Sequence, residues 1–298
     1  MSKTLVGIVT FGNVEFTKIT VNSIKETTEG ELDFFLVVGK PGDKETENWL
    51  IEEGIAHVVH DENYGFPYSL NDIYDYGFKE HDYDYIIFAG NDIATYPGTI
   101  DALIHTADTT DLEWISATQY DVKTLCNEFP EVRKYFKGTD YNFTQFDERP
   151  WELLTRYGNT DAIEMDVIKD VHNLCLYKKS VFETIGYVDV NFFPAYYSDN
   201  DYARRGVNAK LKTGALTGAV YFHFWSRTIK QGSGGSSPIY FNKNRAFYIY
   251  KWGGHFAEEG YTVPFGGKDV ILPGDIVLQG SLNINTREFD KAIAAYWR

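Results

Sequence analysis

The chain has 298 residues, enough for one large α/β domain or two smaller ones with a substantial core. Its formal net charge of -15, with no basic run, argues against a broad grip on phosphate backbones, which clustered Lys and Arg supply. Aromatic residues make up 16% of the chain, and the 22 Tyr and 6 Trp, each with an apolar face and a polar edge, suit a surface that holds sugars or nucleobases as well as they suit a core.

In chain order, LVGIVTFG (5–12) is an apolar run closed by glycine, and VEFTKITVNSIKETT repeats apolar residues at helical spacing through Phe16, Ile19, Val21 and Ile24. FFLVVG is a second buried strand followed by a Pro-Gly-Asp turn. The short strand HVVH, the loop DENYGFPYS and a helix through Leu70, Ile73, Tyr74 and Phe78 come next. YDYIIFAGND is a third strong strand, and EWISATQ a fourth. Strands alternating with helices predict an α/β fold with a mainly parallel sheet covered on both faces. Ligands of such sheets bind beyond the carboxyl ends of the strands, so TFGN (10–13), GKPGD (39–43) and AGND (89–92) are expected to converge.

The polar and aromatic stretch from Tyr120 to Asp170 reads as loops and short helices, PEVRKYFK and RPWELLTRYG among them. HNLCLYKKSVFETIGYVD is a strand and then a helix. YYSDNDYARRGVNAK precedes a short strand, GAVYFHFW, and the loop QGSGGSSP. A tyrosine-rich helix, FNKNRAFYIYKWGG, and a helical end, REFDKAIAAYWR, complete the chain. Cys126 and Cys175 match no metal or redox spacing and read as buried reduced thiols. The opening MSKTLVGIVTFG lacks a signal-peptide pattern and no apolar run approaches a membrane span, so a soluble, cytoplasmic protein is expected.

Several of these segments, in this order, resemble the GT-A glycosyltransferases, specifically the family 2 group of nucleotide-sugar transferases. LVGIVTFGNVEFTKITVNSI is similar to the family's opening strand, turn and helix. NYGFPYSLNDIYDYG is similar to its N-x-G-F segment, and FAGNDIATYPGTIDAL to the metal-binding segment in which acids close a strand. HNLCLYKKSVFETIGYVDVNFF resembles the later G-x-x-D stretch, and YYSDNDYARRG falls where the family carries E-D-x-D-L-x-x-R. The resemblance covers roughly Leu5 to Trp225. It implies a GT-A domain over 1–225, with a nucleotide-sugar-binding half (1–115) and an acceptor-side half (116–225), and a C-terminal lid loop and helical extension over 226–298. The chain departs from the pattern where the acidic cluster is reduced to Gly90, Asn91 and Asp92, where Ser198 replaces a Glu, and where Gly39 stands for an acid after the second strand.

The resemblance implies a metal-dependent, inverting transfer of a sugar from a nucleoside diphosphate sugar, UDP-sugar by default, to a hydroxyl acceptor. A divalent cation, Mn²⁺ or Mg²⁺, neutralises charge on the departing diphosphate, and one protein carboxylate suffices if the diphosphate supplies further oxygens. Asp92 is the candidate metal ligand, and His223, on an apolar and aromatic strand where a packed histidine is the ordinary case, is the second. Asp199 matches the base position, since an attacking hydroxyl needs a proton acceptor in the transition state. Asn91 can donate to a ribose hydroxyl or phosphate. Thr10 and Phe11 are candidates for nucleobase contact, and Asn63 and Gly65 for close backbone approach to base or ribose. Trp225, Arg227 and QGSGGSSP are candidates for a lid over the diphosphate.

Plainer readings stand beside these. Ser198 with Asp201 fits a helix-capping pair, Asp199 fits a first-turn acid offsetting the helix dipole, and Asp201 with Arg205 fits an i,i+4 pair. A catalytically silent nucleotide-sugar or glycan-binding module is the rival function. Modified DNA is an alternative acceptor, which the net charge disfavours. A dinucleotide oxidoreductase is disfavoured because no G-x-G-x-x-G follows the first strand.

Overall fold

A computed structural model describes residues 2–120, 163–224 and 238–268. The first strand, β1 (Thr4–Thr10), is almost wholly buried, as a continuous apolar run in a sheet covered on both faces must be. It lies between β2 (Asp33–Val38) and β4 (Tyr85–Gly90), parallel to both, and β3 (Ala56–Val59) extends the parallel set beyond β2. On the other side of β4, β8 (Leu174–Lys178) runs antiparallel, followed by β6 (Trp114–Tyr120) and β9 (Thr213–His223), which are parallel to each other. β5 (Ile93–Thr95) and β7 (Ile163–Met165) both pair with β9 antiparallel. The order is β3-β2-β1-β4-β8-β6-β9-β5.

Alternate residues of each strand face opposite sides. Val6, Ile8, Leu36, Val38 and Ile87 pack on one face with Val21 and Ile24 of α1 (Val14–Thr27), Trp49 and Leu50 of α2 (Lys44–Glu52) and Leu103 of α4 (Thr99–Thr109). Leu5, Val37, Ile86 and Phe88 pack on the other with α3 (Phe66–Tyr74), α5 (Lys179–Ile185) and α6 (Ser198–Asn208) through Leu70, Val181 and Tyr202. Cys175 lies in this second core, where burial pushes its thiol up to about 11. A last helix, α7 (Pro238–Trp252), joins Phe247, Tyr248 and Trp252 to Phe192 and Phe265 in a separate cluster.

The mainly parallel sheet with helices on both faces matches the sequence expectation, with four differences. The loop reading of 120–170 misses β7, whose half-exposed three residues carry too little pattern to signal a strand. IAT, to which the sequence reading gives no element of its own, is the edge strand β5. Its amides are satisfied by α1: Thr20 Oγ1 accepts from Ile93 N–H at 3.1 Å and Ser23 Oγ from Thr95 N–H at 3.2 Å. The strand expected over GAVYFHFW begins earlier, at Thr213. α2 forms in KETENWLIE, capped by Asp43, whose side chain accepts from Thr46 N–H. The stretches PEVRKYFK, RPWELLTRYG and REFDKAIAAYWR, and Cys126, lie outside the described residues. Among the described residues no helix is long and apolar enough to cross a membrane.

Candidate active site

The expected convergence of strand ends produces a cavity of about 520 Å³, lined from β1 and its loop by Val9 and Phe11, from β2 by Gly39, and from β4 by Gly90, Asn91 and Asp92. Asn63, Gly65, Phe66 and Ser69 line it from the start of α3, and Ser198, Asp199, Asn200 and Ala203 from the start of α6. His223 enters at the end of β9.

Asp92 is buried in the two-residue link between β4 and β5, and its carbonyl accepts from Phe224 N–H at 2.9 Å. This ties the end of β9 to the end of β4, and it brings Asp92 Oδ1 to 3.1 Å from His223 Nε2. The other imidazole nitrogen, Nδ1, lies 3.1 Å from Gln119 Oε1 and 3.2 Å from Asn173 Nδ2. Ring orientation is therefore set from behind, as in histidines that ligate metals. Two adjacent positions of an octahedral ion with ligand distances of about 2.1 Å lie about 3.0 Å apart, so this carboxylate and imidazole fit a divalent cation with their donor atoms where they stand. No group of three or more His, Cys, Asp or Glu side chains suited to a metal occurs among the described residues, so remaining ligands would come from substrate oxygens and water.

Gly90, where the resembled family carries an acid, has no room for a side chain: a Cβ there would collide with Asn173 Oδ1. Asn173 fills the space and turns its Nδ2 to Gln119 Oε1 and Tyr221 Oη, both at 3.0 Å. Beside it, Asp170 Oδ2 accepts from Gln119 N–H at 3.2 Å, and burial pushes the Asp170 carboxyl above its usual range against the opposing bonds of Tyr221 and Gln119. His172 is buried with neither ring nitrogen hydrogen-bonded to a described residue. Burial, then the nearby Arg205 charge, holds it down to about 3, so it is neutral. Asp170 and His172 adopt left-handed backbone, at φ 45° and 58°.

Asp170, His172 and Asn173 were missed in the sequence. They precede β8, and β8 is antiparallel: it is paired Leu174 to Ala89, so its beginning, not its end, lies at the site edge.

Asp199 stands in the first turn of α6, half-buried, with Asn200 N–H donating to its Oδ1 at 2.9 Å. Burial raises its carboxyl above the ordinary value, partly offset by that bond. The expected Ser198 cap is not present. Tyr197, left-handed at φ 63°, occupies the cap position without a side-chain bond, and Ser198 is already helical. Asp201 answers no cap because it points inward: Arg205 Nε donates to Oδ2 at 3.0 Å, Trp252 Nε1 to Oδ1 at 2.9 Å, and Lys251 Nζ lies 2.6 Å from Oδ1. The i,i+4 pair with Arg205 is thus realised within a larger buried network.

The approach to α6 is fixed by Asn244 of α7, whose Nδ2 donates to the carbonyls of Phe192, Ala195 and Tyr196 at 2.8, 2.6 and 3.2 Å. Tyr196 and Tyr197 are consecutive left-handed residues, a conformation that costs about 1–3 kcal/mol each and persists where the surroundings enforce it.

The nucleoside candidates divide. Phe11 faces the cavity, whereas Thr10 is fully buried, bonded to Thr17 Oγ1 at 2.9 Å and to Gly12 O, and takes no part in the wall. Asn63 Oδ1 accepts from Gly65 N–H at 3.1 Å, and Gly65 (φ 85°) packs so tightly on Phe193 that an added Cβ would lie 2.7 Å from its ring. Asn91 is buried in the wall next to Asp92. Trp225, Arg227 and the loop through residue 237 lie outside the described residues.

No protein-family model and no curated protein matches the chain. Solved structures do. GalNAc-T7, in a crystal structure with UDP, GalNAc and Mn²⁺, superposes with a TM-score of 0.57 at 12% identity over 85% of this chain and 48% of that one. TarS 1-349 of S. aureus superposes with a TM-score of 0.51 at 10% identity over 83% of this chain and 71% of that one. The fold is GT-A. At these identities the likeness concerns the fold, and the chain spans about half of the GalNAc-T7 chain. In this GT-A fold the strand ends that carry Asp92 and His223 and the helix that carries Asp199 open on one cavity.

Proposed function

We propose that the chain is a metal-dependent, inverting glycosyltransferase that moves a sugar from a nucleoside diphosphate sugar to a hydroxyl acceptor. One observation carries this reading: Asp92 and His223, from two different strands, meet at 3.1 Å in the wall of the cavity that Asp199 also lines. Charge supports it. The described lining residues include Asp92, Asp170 and Asp199 but no Lys or Arg, so a diphosphate held there needs a cation between itself and the protein. A divalent ion on Asp92 and His223 would supply that positive charge when bound. The presence of UDP and Mn²⁺ in the GalNAc-T7 crystal makes a UDP-sugar with Mn²⁺ the first donor to test.

Phe11 and the Gly39 backbone would bound the nucleobase and ribose, with Asn91 donating to a ribose hydroxyl or phosphate oxygen. Asp199 would take the proton of the attacking hydroxyl, and its raised pKa suits a base working nearer neutrality than an ordinary carboxylate. Asp170, the other half-buried carboxylate of the wall, is engaged by the Gln119 amide and Tyr221 and is not assigned as a nucleophile, which favours inversion.

The competing reading, a silent nucleotide-sugar-binding module, draws on the loss of acids at position 90. Nucleotide sugars are screened by thermal shift with and without Mn²⁺, and the stabilising donors are then tested for Mn²⁺-dependent cleavage. Stabilisation with slow cleavage is expected for the transferase, and stabilisation without cleavage would leave the binder.

A further inference from the structure

Two of the aromatic side chains that line the cavity with Asp199 are Tyr196 and Phe256. Phe256 is 58% exposed, so its ring offers bare apolar area at the cavity wall. It belongs to the loop after α7, which is held against α6: Arg204 donates to Tyr261 O at 3.0 Å and lies 3.6 Å from the Glu259 carboxylate. Tyr261 N–H in turn donates to Trp252 O at 3.0 Å. The ring therefore belongs to a loop anchored on α6. Tyr196 is also held in place, by the Asn244 bond to its carbonyl and by Phe241, which meets it edge to face at 5.3 Å. The candidate base thus shares its cavity with two aromatic groups on anchored segments, one of them bare.

We propose that Tyr196 and Phe256 form the acceptor subsite and that the acceptor is an uncharged sugar, seated with its apolar C–H face on these rings. The inference rests on the glycosyltransferase reading. Aromatic rings offer apolar area and a negative face to such C–H groups, and the cavity carries carboxylates without a described Lys or Arg, which repels a phosphate-bearing or polyanionic acceptor. In the transfer the acceptor hydroxyl oxygen forms a bond to the anomeric carbon as the bond from that carbon to the diphosphate oxygen breaks. The electron pair departs with the diphosphate and the hydroxyl proton goes to Asp199.

The test is an array carrying neutral oligosaccharides beside polyol-phosphate chains and DNA, used twice. In the first arm the full chain transfers label from UDP-sugars with Mn²⁺; in the second, fluorescently tagged protein is bound to the same array without donor. Neutral sugars are expected to be labelled and bound. Phe256→Ala is expected to lower both signals about tenfold at subsaturating acceptor, the equivalent of about 1.4 kcal/mol for one stacked ring, and Phe256→Trp to restore them. Val263→Ala, at an exposed residue outside the cavity, serves as the control. Label or binding confined to phosphate-bearing chains or DNA overturns the inference, as does an unchanged Phe256→Ala. Absence of donor cleavage in the wild type overturns the transferase reading instead, and binding in the second arm then decides the sugar subsite by itself.

Discussion

Lys251 Nζ lies 2.6 Å from Asp201 Oδ1 and 2.7 Å from Asp189 Oδ2, so one ammonium on α7 holds two carboxylates in the interior, one of them with no exposed surface. Asp189 ends the segment after α5 and Asp201 stands two residues beyond Asp199, so this cation joins α7 to both sides of the loop that presents the candidate base.

Removing the cation leaves the buried Asp189 without its ion-pair partner and Asp201 with Arg205 alone. Lys251→Met is expected to lower stability by about 3–5 kcal/mol, read by urea unfolding. The pair also predicts a pH dependence. Burial pushes the Asp189 carboxyl up, but Lys251 and the Asn191 bonds together outweigh it and hold the carboxyl below its ordinary value. An acid depressed in the folded state contributes stability that is complete above its unfolded pKa and is lost as the pH falls through the folded value. Wild-type stability is expected to drop below about pH 4, and in Lys251→Met this acid-side loss should be diminished.

The metal prediction rests on the 3.1 Å approach of Asp92 and His223. Asp92→Ala is expected to abolish the Mn²⁺-dependent thermal shift with donor, and His223→Ala to weaken it. Gln119→Ala, which removes the oxygen partner of Nδ1, is expected to lower Mn²⁺ affinity by about 10–100-fold in calorimetry, the usual effect of losing such support. Wild-type Mn²⁺ binding in Asp92→Ala would remove the metal from this site.

What was legible in the sequence follows from periodicity. The apolar runs of β1, β2 and β4 are unambiguous because parallel strands are buried on both faces, and their loops placed Phe11, Gly39 and Asp92 at one edge. The carboxyl ends of strands do not reveal Asp170, His172 and Asn173, because strand direction is a property of pairing and β8 is antiparallel. Ser198 and Asp201 matched a capping pattern whose spacing is local, while the partners that draw Asp201 inward, Lys251 and Trp252, lie some fifty residues away and leave no trace in that pattern. Thr10 had the right position and the wrong face.

The contact between Gly90 and Asn173 makes a prediction of its own. A methyl at position 90 meets Asn173 Oδ1 at less than van der Waals separation, so Gly90→Ala is expected to cost about 1–3 kcal/mol. Asn173→Ala frees the space but gives up the bonds to Gln119 and Tyr221. The double variant should therefore be more stable than the sum of the two losses implies, a coupling that unfolding of the four proteins in a double-mutant cycle measures. Additivity would show that Asn173 moves aside without cost.

Asp199 decides between chemistry and helix building. As a base it must be ionised to work, and burial raises its pKa, so kcat/KM is expected to rise with pH through a limb above the ordinary carboxylate value of 3.8. Asp199→Asn keeps the shape and removes the proton acceptor. Turnover should fall by roughly 10² to 10⁴ while donor affinity stays near that of the wild type. Stability separates the two roles further. A carboxyl whose pKa is raised on folding costs stability once the pH exceeds its unfolded value, and the full cost is present above the folded one. Asp199→Asn is thus expected to melt at a higher temperature than the wild type at pH 7, and the difference should vanish near pH 3, where both side chains are neutral. A residue serving only to offset the helix dipole gives the reverse, a loss of about 1 kcal/mol at pH 7 with transfer intact. Melting curves at the two pH values, set beside turnover of the same protein, choose between a site that sacrifices stability for reactivity and a helix that merely begins there.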